Sequence, residues 1–333
     1  MTYTYTVYKG SESGTITKST CVKEALKDDQ VFLRVTASGV CGTDLHFRKA
    51  DIGLGHEGVG VIEDTGPACT HLKKGDRVGW GYEHNCCQHC EQCLKGTETF
   101  CSERAMYGFN DTDQGSFATH AVWREAFLFK IPDNISDEAA APLQCGGVTV
   151  FNALHMYNAQ PTDRVGVVGI GGLGHLAIQY ATKMGCQVVV FSSTKEKKAE
   201  CLGFGASEFY TTQDVSELKD IKPINRLLVT TSEQPSWDIF IPIMAPGGMI
   251  FPLSVAEGNF TCSYMSLLAQ GLSVQGSLVS SRYIHKRMLA FSAQHQITPA
   301  IQRYKMSEEG ITKALDDLEN GDVRYRAVLI NED

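Results

Sequence analysis

The chain has 333 residues, 43% of them hydrophobic and 20% charged, and a formal charge of −8. That length is about twice a usual single domain, so two cores are expected. The negative balance excludes a protein that tracks nucleic-acid phosphates or docks through a polybasic membrane surface.

The opening stretch, Met1 to Tyr8, lacks the basic and apolar segments of a secretory leader. No run of about 18 apolar residues follows, so no membrane span is expected. With twelve cysteines and no leader, a reducing compartment is expected, where clustered cysteines hold metals more often than they form disulfides. The expected location is cytoplasmic.

The first third reads as β-rich. Residues 31–40, 58–66, 76–80, 117–124 and 127–131 are short β-branched and aromatic runs between Gly, Pro and Asp turns. A helical stretch is predicted over 137–158, after which the pattern changes. Val165 to Gly169 is a continuous apolar run, as in a strand buried on both faces. Leu173, Leu176, Ala177, Tyr180, Ala181 and Met184 then recur at helical spacing. Further strands are predicted at 188–191, 209–211, 227–230, 249–253 and 273–278, the alternation of a parallel α/β sheet. Helices at 284–294 and 309–320 and a strand at 324–330 close the chain. The expected organisation is a β-rich domain over 1–144, a parallel α/β domain over 145–279, and a return to the first domain over 280–333.

Gly169-Ile170-Gly171-Gly172-Leu173-Gly174 is a G-x-G-x-x-G turn set between a strand and a helix. Gly169 allows the tight turn, Gly171 lets backbone approach a pyrophosphate, and Gly174 permits close helix–strand packing. The helix N-terminus then favours the anion. NAD enzymes carry an acid about 20 residues on, at the end of the second strand, to hold the adenosine ribose. Here that strand ends in Ser192-Ser193-Thr194-Lys195-Glu196-Lys197, with no carboxylate at its tip. A carboxylate there would oppose a 2′-phosphate by about 4 kcal/mol at a separation of about 4 Å. The sequence therefore predicts NADP(H), with Ser192, Ser193 and Lys197 on the phosphate. The lysines also suit the solvated face of the next helix, so the missing acid is the firmer half of this reading.

Cys87-x₂-Cys90-x₂-Cys93-x₇-Cys101 is the most specific spacing in the chain. Four thiolates so spaced can close a tetrahedral shell at about 2.3 Å from one zinc ion, leaving no open position for chemistry. Cys86, His84 and His89 are rivals inside the cluster, and an iron–sulfur centre is the competing reading. A second set, Cys41, His56 and Cys145, is too dispersed to assemble from spacing, and taken singly each suits core packing.

Cys41-Gly42-Thr43-Asp44-Leu45-His46, Gly55-His56-Glu57-Gly58, the cysteine cluster, Ala141 to Cys145 and Val167 to Gly174 together resemble the zinc-containing medium-chain dehydrogenase/reductases. Within them the cinnamyl alcohol dehydrogenase-like branch is the best match, over almost the whole chain, including the ending Asp322 to Arg326. The resemblance implies an α/β protein with a GroES-like β-rich catalytic domain and a Rossmann domain. It implies an alcohol dehydrogenase or aldehyde reductase with two zinc ions per subunit, acting on a small-molecule alcohol or aldehyde as a homodimer joined near 273–278.

Under that resemblance Cys41, His56 and Cys145 hold the catalytic zinc, and Cys87, Cys90, Cys93 and Cys101 the structural one. Glu57 is the carboxylate beside the metal, and Asp44 orients the His56 ring. Thr43 exchanges the substrate proton and His46 carries it onward, while Thr149 lies near the nicotinamide. The chain departs from the branch in two places. Only ten residues, Leu45 to Leu54, separate Asp44 from Gly55, and a pocket aromatic is replaced near Met106-Tyr107. A reshaped, more open substrate pocket is therefore expected. The alternatives are an NADPH-dependent C=C or C=N reductase, which does not require Thr43 and His46, and a non-catalytic NADPH-binding protein on the same scaffold.

Overall fold

The computed structural model describes residues 2–213, 218 and 220–332. They form two compact units, residues 1–148 with 279–333, and residues 149–278.

The first unit is built on a seven-stranded sheet. Its path runs Ile301–Lys305, Arg326–Ile330, Gln30–Val40, Gly58–Thr65, Arg77–Trp80, Phe129–Lys130, with His120–Arg124 pairing off Gln30–Val40. Gln30–Val40 is the central member because it buries both faces through Val31, Leu33, Val35, Ala37 and Val40. The closing strand runs antiparallel to it, with Ala327 opposite Val40. The helix Glu308–Glu319 packs Ile311, Ala314 and Leu315 inward at three- and four-residue spacing, and the Ser307 hydroxyl caps it by accepting from Gly310 N at 3.1 Å.

This unit departs from the sequence reading in unpredicted strands, Ile301–Lys305 among them, and in its opening segment. Tyr3–Lys9 and Thr17–Lys23 form an antiparallel hairpin whose first strand buries Tyr3, Tyr5 and Val7. The predicted strand over 117–124 is shorter, His120–Arg124, because residues 117–119 turn instead to the hairpin: Tyr8 N donates to the Phe117 carbonyl at 2.8 Å and Thr119 N to that of Thr6 at 3.0 Å.

The second unit is a six-stranded sheet in the order Glu208–Thr211, Gln187–Ser192, Arg164–Val168, Ile224–Val229, Met244–Pro252, Ser273–Val274, every pairing parallel. Arg164–Val168 is buried at all five positions: Val165 to Val168 are apolar, and Arg164 pairs with Glu208 at 2.7 Å. Helix Gly174–Lys183 turns Leu176, Ala177, Tyr180 and Ala181 into the core. The edge strand stops at Val274, short of the predicted 278; Gln275 N still donates to the Ile250 carbonyl at 2.8 Å before the chain leaves the sheet.

The predicted helix over 137–158 is three pieces: Asp137–Ala140, a 3₁₀ turn Ala141–Gln144, and Gly146–His155. The break falls at Cys145, with φ −127° and ψ −64°, between a turn opened by Pro142 and a helix opened by two glycines. Among the described residues no helix is long and apolar enough to cross a membrane.

Candidate active site

Helix Gly42–Phe47 begins at Cys41, and Asp44 organises that start. Asp44 is fully buried; one of its carboxylate oxygens accepts from Cys41 N at 2.8 Å, while the other pairs with His56 Nδ1 at 3.0 Å. A carboxylate accepts only, so His56 Nδ1 carries a proton and Nε2 is the nitrogen that faces away from Asp44. That Nε2 is buried and makes no hydrogen bond among the described residues. Around it the structure gathers Cys41, Glu57 and Cys145, with one ligand atom from each of the four residues within 4.8 Å of the others. The fragments that spacing alone left apart thus converge on one point.

The two thiols act on each other. The hydrogen bond from Cys145 holds Cys41 well below the usual thiol range, and the same contact, together with burial, pushes Cys145 well above it. Burial disfavours a charged His56 ring, while Asp44 and Cys41 together raise it. Two sulfurs, one of them already inclined to the thiolate, and an imidazole nitrogen with no other partner suit a zinc ion, which takes such donors with one position left open.

Glu57 is fully buried, and both of its carboxylate oxygens pair with the guanidinium of Arg326, itself buried, from the closing strand. Burial pushes the Glu57 carboxyl up, and Arg326 pulls it back toward the charged form. Thr43 lies on the first turn, its Oγ1 3.9 Å from Cys41 Sγ, and His46 sits exposed further along the same helix.

Sequence reasoning did not single out Arg326 or Tyr107. Tyr107 stacks on His56 with ring centroids 4.7 Å apart, and its hydroxyl accepts from Gly55 N at 3.1 Å. In the sequence Arg326 is visible as a charged residue at the head of an apolar strand and as the end of the segment Asp322 to Arg326 that carries the resemblance, but nothing there ties it to Glu57.

Cys87, Cys90, Cys93 and Cys101 bring their sulfurs within 4.8 Å of one another, with Cys101 to Cys87 and Cys90 to Cys93 each at 3.6 Å. Backbone N–H groups aim at the sulfurs, Cys90 N at Cys87 and Glu103 N at Cys101, both at 3.3 Å, as thiolate ligands require. Burial and the neighbouring thiols push Cys93 upward in the absence of a cation. Of the rivals, His84 pairs with Asp111 at 3.4 Å, His89 groups with Cys87 and Glu103 at the cluster's edge, and the Cys86 thiol contacts that of Cys93. A closed four-sulfur shell fits a structural zinc ion.

In the second unit, Gly169 follows the strand Arg164–Val168 with φ +85°, which only glycine adopts freely. A Cβ on Gly174 would lie 2.0 Å from the Gly169 carbonyl oxygen, whereas Gly171 has nothing within 4 Å of that position. The turn is thus closed against itself at Gly174 and open at Gly171, with Gly172 and Leu173 leading into the helix. Ser192 ends the second strand, Ser193 is exposed just beyond it, and Lys197 Nζ reaches back to donate to the Ile170 carbonyl at 2.9 Å. Thr149 is buried on the helix that follows Cys145.

Residues 27–133 match the family model of the alcohol dehydrogenase GroES-like domain, and residues 172–294 that of the zinc-binding dehydrogenases. The chain is 32% identical over 329 residues to NADP-dependent alcohol dehydrogenase C 1 of Mycolicibacterium smegmatis, covering 94% of each protein. It is 30% identical to cinnamyl alcohol dehydrogenase 8 of Arabidopsis thaliana, covering 95% of this chain and 92% of that one. Among solved structures, a cinnamyl alcohol dehydrogenase from Sorghum bicolor superposes with a TM-score of 0.92 at 30% identity, over 98% of both chains. The Helicobacter pylori enzyme complexed with NADP(H) does so at 0.90 and 25% identity, over 99% of both.

Proposed function

Because the chain belongs to the alcohol dehydrogenase family, with its GroES-like and zinc-binding dehydrogenase domains and its alcohol dehydrogenase activity, we propose that it reduces an aldehyde to a primary alcohol with NADPH at a zinc centre held by Cys41, His56 and Cys145. The observation that carries this reading is the convergence of those three side chains on the unpartnered His56 Nε2. When bound, zinc supplies a Lewis acid for the substrate oxygen and NADPH supplies the hydride.

The chain's own residues do the rest. Asp44 fixes the His56 tautomer so that the ring presents a lone pair. Thr43, beside Cys41, supplies the proton that the substrate oxygen takes up, and exposed His46 brings it in from water. Glu57, balanced by Arg326, is the carboxylate beside the metal. Cys87, Cys90, Cys93 and Cys101 brace their loop around the structural zinc.

The glycine turn, Gly169 to Gly174, takes the pyrophosphate on backbone N–H groups. Thr149 meets the nicotinamide, and Ser192, Ser193 and Lys197 hold the 2′-phosphate, where an acid would oppose it. The relative named as NADP-dependent supports the same choice of cofactor. A Thr43 so close to Cys41 supports carbonyl chemistry over C=C or C=N reduction, which has no use for that hydroxyl.

We further propose a cytoplasmic homodimer joined along the edge strand Ser273–Val274. On that unit Tyr264, Met265, Leu268 and Val274 are exposed apolar side chains in want of cover.

The test is a panel of aliphatic and aryl aldehydes with NADPH and NADH in parallel, together with metal analysis of the parent and of Cys145→Ala. We expect turnover with NADPH, two zinc ions per chain in the parent and one in the inactive variant. Full turnover by Cys145→Ala would remove the mechanism, and a clear preference for NADH would remove the cofactor assignment.

A further inference from the structure

Immediately before Cys145 stands a polar side chain in an apolar setting. Gln144 is 1% exposed and lies in a slot where the facing strand has glycine: a Cβ on Gly79 would come within 2.6 Å of the Gln144 amide carbon. Its Nε2 donates to the Ala140 carbonyl at 2.9 Å, which leaves Oε1 as the acceptor for His285 Nε2, also at 2.9 Å. His285 belongs to helix Arg282–His295 and lies flat on Phe129, ring centroids 3.8 Å apart at 12°. Burial holds this imidazole down to about 3, so the ring is neutral and its proton sits on Nε2.

Burying an amide and an imidazole costs desolvation that an apolar pair of the same shape would avoid. What the polar pair adds is direction. At Cys145 the backbone departs from helical values, so regular helix bonding does not orient that residue. The nearest anchored group is the side chain one residue earlier, tied at one end to the preceding helix and at the other to a distant one.

We propose that the Gln144–His285 pair is a positioning brace that fixes the Cys145 thiol against Cys41 and His56, and so sets how firmly the centre grips a divalent metal. This rests on the zinc reading above. Neither residue touches the reacting atoms; both act through Cys145.

The parent, Gln144→Leu, His285→Leu, His285→Gln and the double Gln144→Leu/His285→Leu variant would be loaded with cobalt(II). The readouts are stoichiometry, the visible d–d absorption, the rate of release to a chelator, and thermal melting. We expect two cobalt ions in the parent. In Gln144→Leu and in the double variant, one ion leaves about 10- to 100-fold faster with a shifted band, the scale seen when groups supporting a metal ligand are removed. The four-cysteine ion keeps its parental rate. His285→Gln, which can still donate to Gln144, stays near the parent, and His285→Leu does not; this contrast decides the matter if Gln144→Leu fails to fold. A double variant with parental band and release rate overturns the brace while leaving the zinc reading intact. A parent that binds only one cobalt ion overturns that reading, and the brace with it.

Discussion

Glu57 and Arg326 are opposite charges taken out of water together, and each is tolerable only because of the other. Replacing Arg326 by Met keeps the volume and strands a buried carboxylate. Chemical denaturation should show a loss of about 3–5 kcal/mol, the usual cost of halving such a pair. His285 gives a second prediction at this scale. Its folded-state value is depressed to about 3 from an ordinary 6.5, so between those limits the unfolded chain binds the extra proton. Stability is then unaffected by this group above pH 6.5 and falls as pH drops below it, by up to about 1.4 kcal/mol per pH unit. The denaturation free energy of His285→Gln should lose that slope. An identical pH profile for parent and variant would show that the ring is not held neutral.

Among the elements, the glycine turn carries the tightest packing in the second unit. Gly174→Ala would drive a methyl group into the Gly169 carbonyl and push the helix off the strand. An overpacking cost of about 1–3 kcal/mol follows, and NADPH affinity, measured by calorimetry, should fall at least about tenfold because the proposed anion site is that helix start. This element was fully legible in the sequence, since an apolar strand, three spaced glycines and a helical period all agree. The four-cysteine loop was equally plain, because its ligands are near neighbours in the chain. Other elements were not. The opening hairpin alternates Tyr, Thr and Val, a period-two signal that reads as a strand only once a partner is known. The break at Cys145 separates a turn opened by Pro142 from a helix opened by two glycines, and the partner that anchors Gln144 beside it comes from a distant helix, which no local pattern encodes. For the same reason Cys41, His56 and Cys145 could be joined in advance only by resemblance.

Over the whole molecule, the residues proposed to hold zinc lie in one compact unit and those proposed to hold the cofactor in the other. Metal removal and cofactor binding should therefore separate: prolonged chelation should abolish turnover while NADPH still quenches intrinsic fluorescence. The edge strand makes the remaining prediction. Light scattering should give about twice 36.5 kDa. Val274→Lys, which sets like charges facing across such a joint, should yield monomers. A parental mass for that variant would place the joint elsewhere. The pairing of Glu57 with Arg326 also orders events in time. The two are 269 residues apart, and the arginine rides on the last strand of the sheet. During synthesis the acid leaves the ribosome long before its counter-charge exists. If the proposed zinc site is right, its pocket stays electrically unbalanced in a nascent chain until that strand pairs, and metal loading is expected to follow the pairing.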